Sequence, residues 1–131
     1  MPENMVSIKS YEAPGKDVLL APHLAFAVSV TVSNTGVSST DGKKIIKAGT
    51  PIGGSTSVLT KRSTVLQVTN DSGTGAQAQG ILRNDLDVTN GNAVGSMIVF
   101  GFIDESKCPT IAAEAKKALT KITFVNGGVE E

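Results

Sequence analysis

Residues 79–103 read QGILRNDLDVTNGNAVGSMIVFGFI. Two apolar segments, 80–82 and 97–103, flank a polar stretch carrying Asp85, Asp87, Asn90, Gly91 and Asn92. Val, Ile and Phe suit a pleated, half-buried surface, and Asn-Gly supplies the positive φ of a tight turn. The stretch predicts a strand, an acidic loop and then a long strand. No catalytic constellation lies within it.

Outward from this stretch, the other strands follow from a period of two. Residues 24–32, LAFAVSVTV, alternate most cleanly: Leu24, Phe26, Val28, Val30 and Val32 share one face, and Ala25, Ala27, Ser29 and Thr31 the other. The first set is expected in the core, and the small second set leaves room for another surface to approach. Residues 33–42 form a polar loop or hairpin tip, with Asn34, Gly36 and Asp41-Gly42 as turn formers. A short strand at 43–48 is stopped by Gly49-Thr50-Pro51 and Gly53-Gly54. Because Pro51 cannot donate to a ladder, this segment is expected at a sheet edge. Further strands are predicted at 64–69 and 121–125, with a plain loop at 70–75. One helix is expected over 108–119, with Pro109 in its first turn and an apolar stripe of Ile111, Ala115, Ala118 and Leu119.

The whole chain is consistent with this pattern. It has 131 residues, few aromatics (4%), no Trp and 14 glycines. That composition predicts one β-rich domain whose core is Val, Ile, Leu and Ala, with Phe26, Phe100, Phe102 and Phe124 as large anchors. The fold class is therefore mainly β (a β-rich α+β chain): a small antiparallel domain over 23–131 with one short C-terminal helix. Residues 1–22, with three of the five prolines, read as an extended N-terminal arm with a short strand near 18–20. An arm of this kind orders on a partner more readily than on itself.

Charge and cysteine content exclude several function classes. Twelve basic and twelve acidic side chains give no global field toward nucleic acid or an anionic membrane. The single Cys108 rules out an intrachain disulfide and a cysteine metal cluster. No apolar run reaches the ~18 residues that span a bilayer, and the N-terminus lacks signal-peptide character, so a soluble protein is expected.

Each chemical motif also has a plainer structural account. Gly73-x-Gly75-x-x-Ala78 matches a dinucleotide fingerprint loosely but is not followed by a helical pattern. Asp85, Asp87, Thr89, Asn90 and Asn92 resemble hard-cation ligands. A calcium loop, however, needs Gly sixth and Glu twelfth, where this chain has Asn90 and Ser96. A solvated turn with Asx side chains bonding their own backbone is the expectation. His23, the only histidine, sits beside Pro22 without an evident acid partner. Cys108 is expected at the helix N-cap or in its first turn, where the dipole would lower its pKa, though as a small apolar residue rather than a nucleophile. Asn70-Asp71-Ser72 is a glycosylation sequon in form only. No catalytic, cofactor or metal residue is predicted, and a binding or structural role is the expectation.

Three blocks carry a family resemblance: residues 47–53 (KAGTPIG), residues 78–91 (AQGILRNDLDVTNG) and the strand at 93–103. From Gly36 onward the chain resembles tailed-phage capsid decoration and head-fibre-base proteins of the lambda-type head decoration class. The resemblance covers about half the chain; the 108–119 helix and the 60–69 segment have no counterpart in it. It implies a compact β-rich fold that assembles as a homotrimer on the outer surface of the phage head. There it would bind the major capsid protein, with the arm adding contacts, as a cementing protein or the base of a head fibre. The implied localisation is the virion, after synthesis in the host cytoplasm. A host-surface or carbohydrate-binding module, using loops 33–42 and 70–76, is the competing expectation. The scarcity of stacking aromatics, one Tyr and no Trp, weighs against it.

Overall fold

The computed structural model describes residues 18–125. Residues 1–17 of the arm expected over 1–22 lie outside them. Nine strands are present among the described residues: β1 (Leu19–Leu20), β2 (Phe26–Val32), β3 (Ile45–Ile46), β4 (Pro51–Gly53), β5 (Val65–Val68), β6 (Ala78–Leu82), β7 (Leu86–Asp87), β8 (Ala93–Asp104) and β9 (Ile122–Val125). One α-helix, α1 (Ala113–Ala118), precedes the last strand. The described residues are β-rich with one short α-helix near the C-terminal end, as their alternation requires.

The long strand β8 organises everything else. Its first half pairs antiparallel with β2 on one side, from Val32↔Ala93 to Phe26↔Phe100, and with β6 on the other, at Ile81↔Ile98 and Leu82↔Met97. The order β8-β2-β5-β4-β6, closed by the β6–β8 pairing, makes a small barrel. Its second half leaves that barrel and lies between β1 (Leu19↔Ile103) and β9 (Gly101↔Ile122). One strand thus serves two layers, and two cores result. Val30, Val32, Ile52, Val58, Leu66, Leu82, Val88 and Met97 fill one. Val18, Ile81, Ile98, Ile103, Ile111, Ala115, Leu119 and Ile122 fill the other, under the helix.

Most pairings are antiparallel, but β2–β5 and β8–β9 are parallel. A parallel pair needs a crossover of roughly a dozen residues or more. Residues 105–121 supply it for β8–β9, and α1 lies within that crossover. Residues 33–64 supply it for β2–β5.

Several expectations are corrected. Phe26, Phe100 and Phe102 are not core anchors: they are 55%, 48% and 36% exposed, and Leu24 is 52% exposed. The apolar row of β2 is buried only where the barrel covers it. Phe26 pairs at Phe100, beyond the last β6–β8 pair at Ile98. The 43–48 segment, as β3, does lie at an edge, pairing with β7 alone, whereas Pro51 itself begins β4, which lies between β5 and β6 with all three residues buried. Proline is tolerated as the first residue of a strand, and its carbonyl still accepts the Thr69 N–H at 3.0 Å. Gly53 makes the tight fit possible, since a Cβ there would stand 2.0 Å from the Gln77 carbonyl oxygen.

The helix starts later than Pro109 suggests. The Asn70 side chain donates to the Thr110 carbonyl at 2.9 Å and accepts the Ala112 N–H at 2.7 Å. That clamp takes up backbone groups on both sides of Ile111 and keeps Ala112 extended (φ −62°, ψ 143°), so helical geometry begins at Ala113. The expected stripe still faces inward through Ile111, Ala115 and Leu119. Val18 and Leu19 are also core residues, at 0% and 5% exposure, so the domain begins before residue 22.

Candidate functional surface

The acidic stretch of residues 83–92 is held by its own side chains. Asp87 Oδ1 accepts the Thr89 N–H at 2.9 Å, and Gly91 (φ 123°) closes the turn by donating to the Val88 carbonyl at 3.1 Å. Hydrogen bonds from Thr89, its side chain first and its backbone second, hold the Asp87 carboxyl below its ordinary pKa. Asp85 does something the spacing did not suggest. It reaches across to accept the Ala48 N–H at 2.8 Å, with Lys47 Nζ 3.9 Å away. The two aspartates therefore face different partners. Among the described residues, no group of three His, Cys, Asp or Glu side chains gathers to hold a metal.

The glycine motif serves packing. Asp71 Oδ1 accepts from the Thr74 hydroxyl and from the N–H groups of Thr74 and Gly73, at 2.7–2.9 Å. Those bonds lower the Asp71 pKa, the Thr74 hydroxyl contributing most. A single 3₁₀ turn, Gly75–Gln77, leads directly into β6 rather than into a helix. Gly75 lets α1 approach: a Cβ there would lie 2.7 Å from the Ala115 nitrogen.

His23 is exposed in the 3₁₀ turn Pro22–Leu24. Cys108 is not in the helix. It closes the 3₁₀ turn Glu105–Lys107, and its thiol donates to the Asp104 carbonyl at 3.5 Å. Burial first, then the nearby Asp104 and Glu105 carboxylates, pushes its pKa up to about 11, the reverse of the dipole expectation. The side chain packs on Gly49, where any Cβ would come within 2.7 Å of the sulfur. The thiol is a packing group under these conditions, since reactivity requires the thiolate.

The surface feature that stands out is apolar. Phe26 and Phe100 are direct cross-strand partners, and Phe102 follows two residues on, opposite Leu20 and Thr123. The β2–β8 register shifts between Phe26 and Ala27, and beyond that irregularity Phe26 faces Phe100; Phe100 and Phe102 are exposed while Gly101 between them is buried, so three of the four phenylalanines lie on one outward face. Sequence reasoning assigned them to the core on size alone. The readable signal was the absence of any ionisable side chain from 24–32 and from 93–103, in a chain that is 18% charged.

The sequence matches no protein-family model and no curated protein.

Proposed function

We propose that this chain is a capsid decoration protein. It binds the outer surface of a tailed-phage head as a homo-oligomer, through the major capsid protein, and stabilises the lattice, either alone or as the base of a head fibre. The observation that carries this reading is the 78–91 block with the strand after it. Those residues form β6, the Asp87 turn and β8, the unit on which the barrel closes. The signature on which the resemblance rests is thus also the structural centre of the chain. A small β domain that exposes Phe26, Phe100 and Phe102 together supports a role carried out by surface rather than by reaction. On a lattice, many modest contacts add through effective concentration.

The test is stabilisation of heads. DNA-filled heads of the encoding phage, stripped of this protein, are heated with a DNA-binding dye, with and without added chain. Added chain is expected to raise the temperature of dye entry. An unchanged opening temperature, with binding of the free monomer to a glycan array, would replace this reading by that of a host-surface module.

A further inference from the structure

We infer that the Phe26–Phe100–Phe102 face is where a second copy of this chain docks, an inference that rests on the homo-oligomeric part of the function proposed above. The rings stand on two neighbouring strands, β2 and β8, in an antiparallel ladder bordered by Leu20 of β1 and Thr123 of β9. Leu24, just before β2, is a further exposed apolar side chain. Interface centres are depleted of charge and enriched in aromatic residues, as this face is.

Size and charge select the occupant. With roughly 150–250 Å² for each aromatic side chain, the observed exposures leave on the order of 300 Å² of bare ring surface, within the range of functional patches. Neither β2 nor β8 carries a Lys or Arg to meet a polyanion or an acidic peptide. A sugar finds rings but no exposed carboxylate or amide on β2 or β8, whose one carboxylate, Asp104, is buried. A second copy presents the same uncharged surface, and the formal net charge of zero sets up no repulsion between copies. Against the ~800 Å² per partner of a standard interface, the rings supply less than half. The remainder falls to their uncharged neighbours, so the free protein is expected to associate reversibly, at micromolar rather than nanomolar concentration.

The test is sedimentation equilibrium of the full chain over 1–200 µM, beside Phe100→Asp and Phe26→Asp. Both positions are about half exposed, so each variant should keep the wild-type circular dichroism spectrum and melting midpoint. The wild type is expected to exceed its 13.5 kDa monomer mass increasingly with concentration. Each variant should raise the midpoint concentration of assembly at least tenfold. If the wild type stays monomeric throughout, or if folded variants assemble like it, the inference is overturned. Lys44→Glu, on β3's flank outside this face, controls for a general effect of added negative charge and should assemble as the wild type does. Head binding is measured separately. Variants that assemble normally while the wild type binds heads sink this inference alone; a wild type that self-associates through the face but ignores heads sinks the capsid reading alone.

Discussion

Cys108 shows how one residue's surroundings decide its chemistry. Its thiol packs against Gly49, and burial first, then the Asp104 and Glu105 carboxylates, raises its pKa to about 11 from an ordinary 9.0. A folded-state pKa above the unfolded value means that the native protein holds the proton more tightly. Stability from this group is then complete below about pH 9 and is lost as pH rises toward 11. Urea unfolding from pH 8 to 11 should show that decline, and Cys108→Ala should flatten it. Iodoacetamide at pH 8 should label the native protein much more slowly than the unfolded one. Asn70 acts at the same scale. Asn70→Ala removes both bonds to residues 110 and 112 and should cost about 1–3 kcal/mol in urea unfolding, since the freed backbone groups lose their partners. Neither role was readable from sequence. A thiol's pKa depends on carboxylates brought near by a turn, and Asn70 in a loop gives no sign of a clamp forty residues away.

At the scale of elements, alternation was the dependable signal where a strand is covered throughout its length. The strand, acidic turn and long strand of residues 79–103 appear as β6, β7 and β8, and Asp41-Gly42, both at positive φ, form the expected turn between Thr40 and Lys43. Alternation failed where cover ends: it gave Phe26 the same environment as Val30, but the β2–β8 register shifts between Phe26 and Ala27 and Phe26 lies beyond the barrel's cover. It also had no means of finding β4, whose three buried residues include a proline and a glycine admitted by close backbone approach. Gly80 has a similar role, for a Cβ there would stand 2.5 Å from both the Ile98 carbonyl oxygen and the Met97 side chain. Gly80→Ala should therefore destabilise by ~1–3 kcal/mol or more by prying β6 from β8. On the helix, the inward stripe was legible although its start was not. Leu119, 5% exposed, should cost about 2–5 kcal/mol as Leu119→Ala, read from the shift in urea midpoint.

At the scale of the molecule, the barrel and the two-layer extension of β8 explain which truncations the fold withstands. Val18 and Leu19 pack in the core, and the Val18 carbonyl accepts the Asp104 N–H at 2.8 Å. Deleting residues 1–17 should leave the melting midpoint within a few degrees of wild type, whereas deleting residues 1–20 should lower it sharply. If residues 1–17 contribute the arm contacts proposed for the capsid, the shorter deletion should also weaken head binding. Capsid binding itself is tested most directly by co-sedimentation. Purified full-length chain is mixed with expanded heads of the encoding phage lacking it, pelleted, and the bound copies per head counted. The capsid reading predicts saturable binding at a fixed ratio to the major capsid protein. A chain that remains in the supernatant at saturating concentration would contradict it.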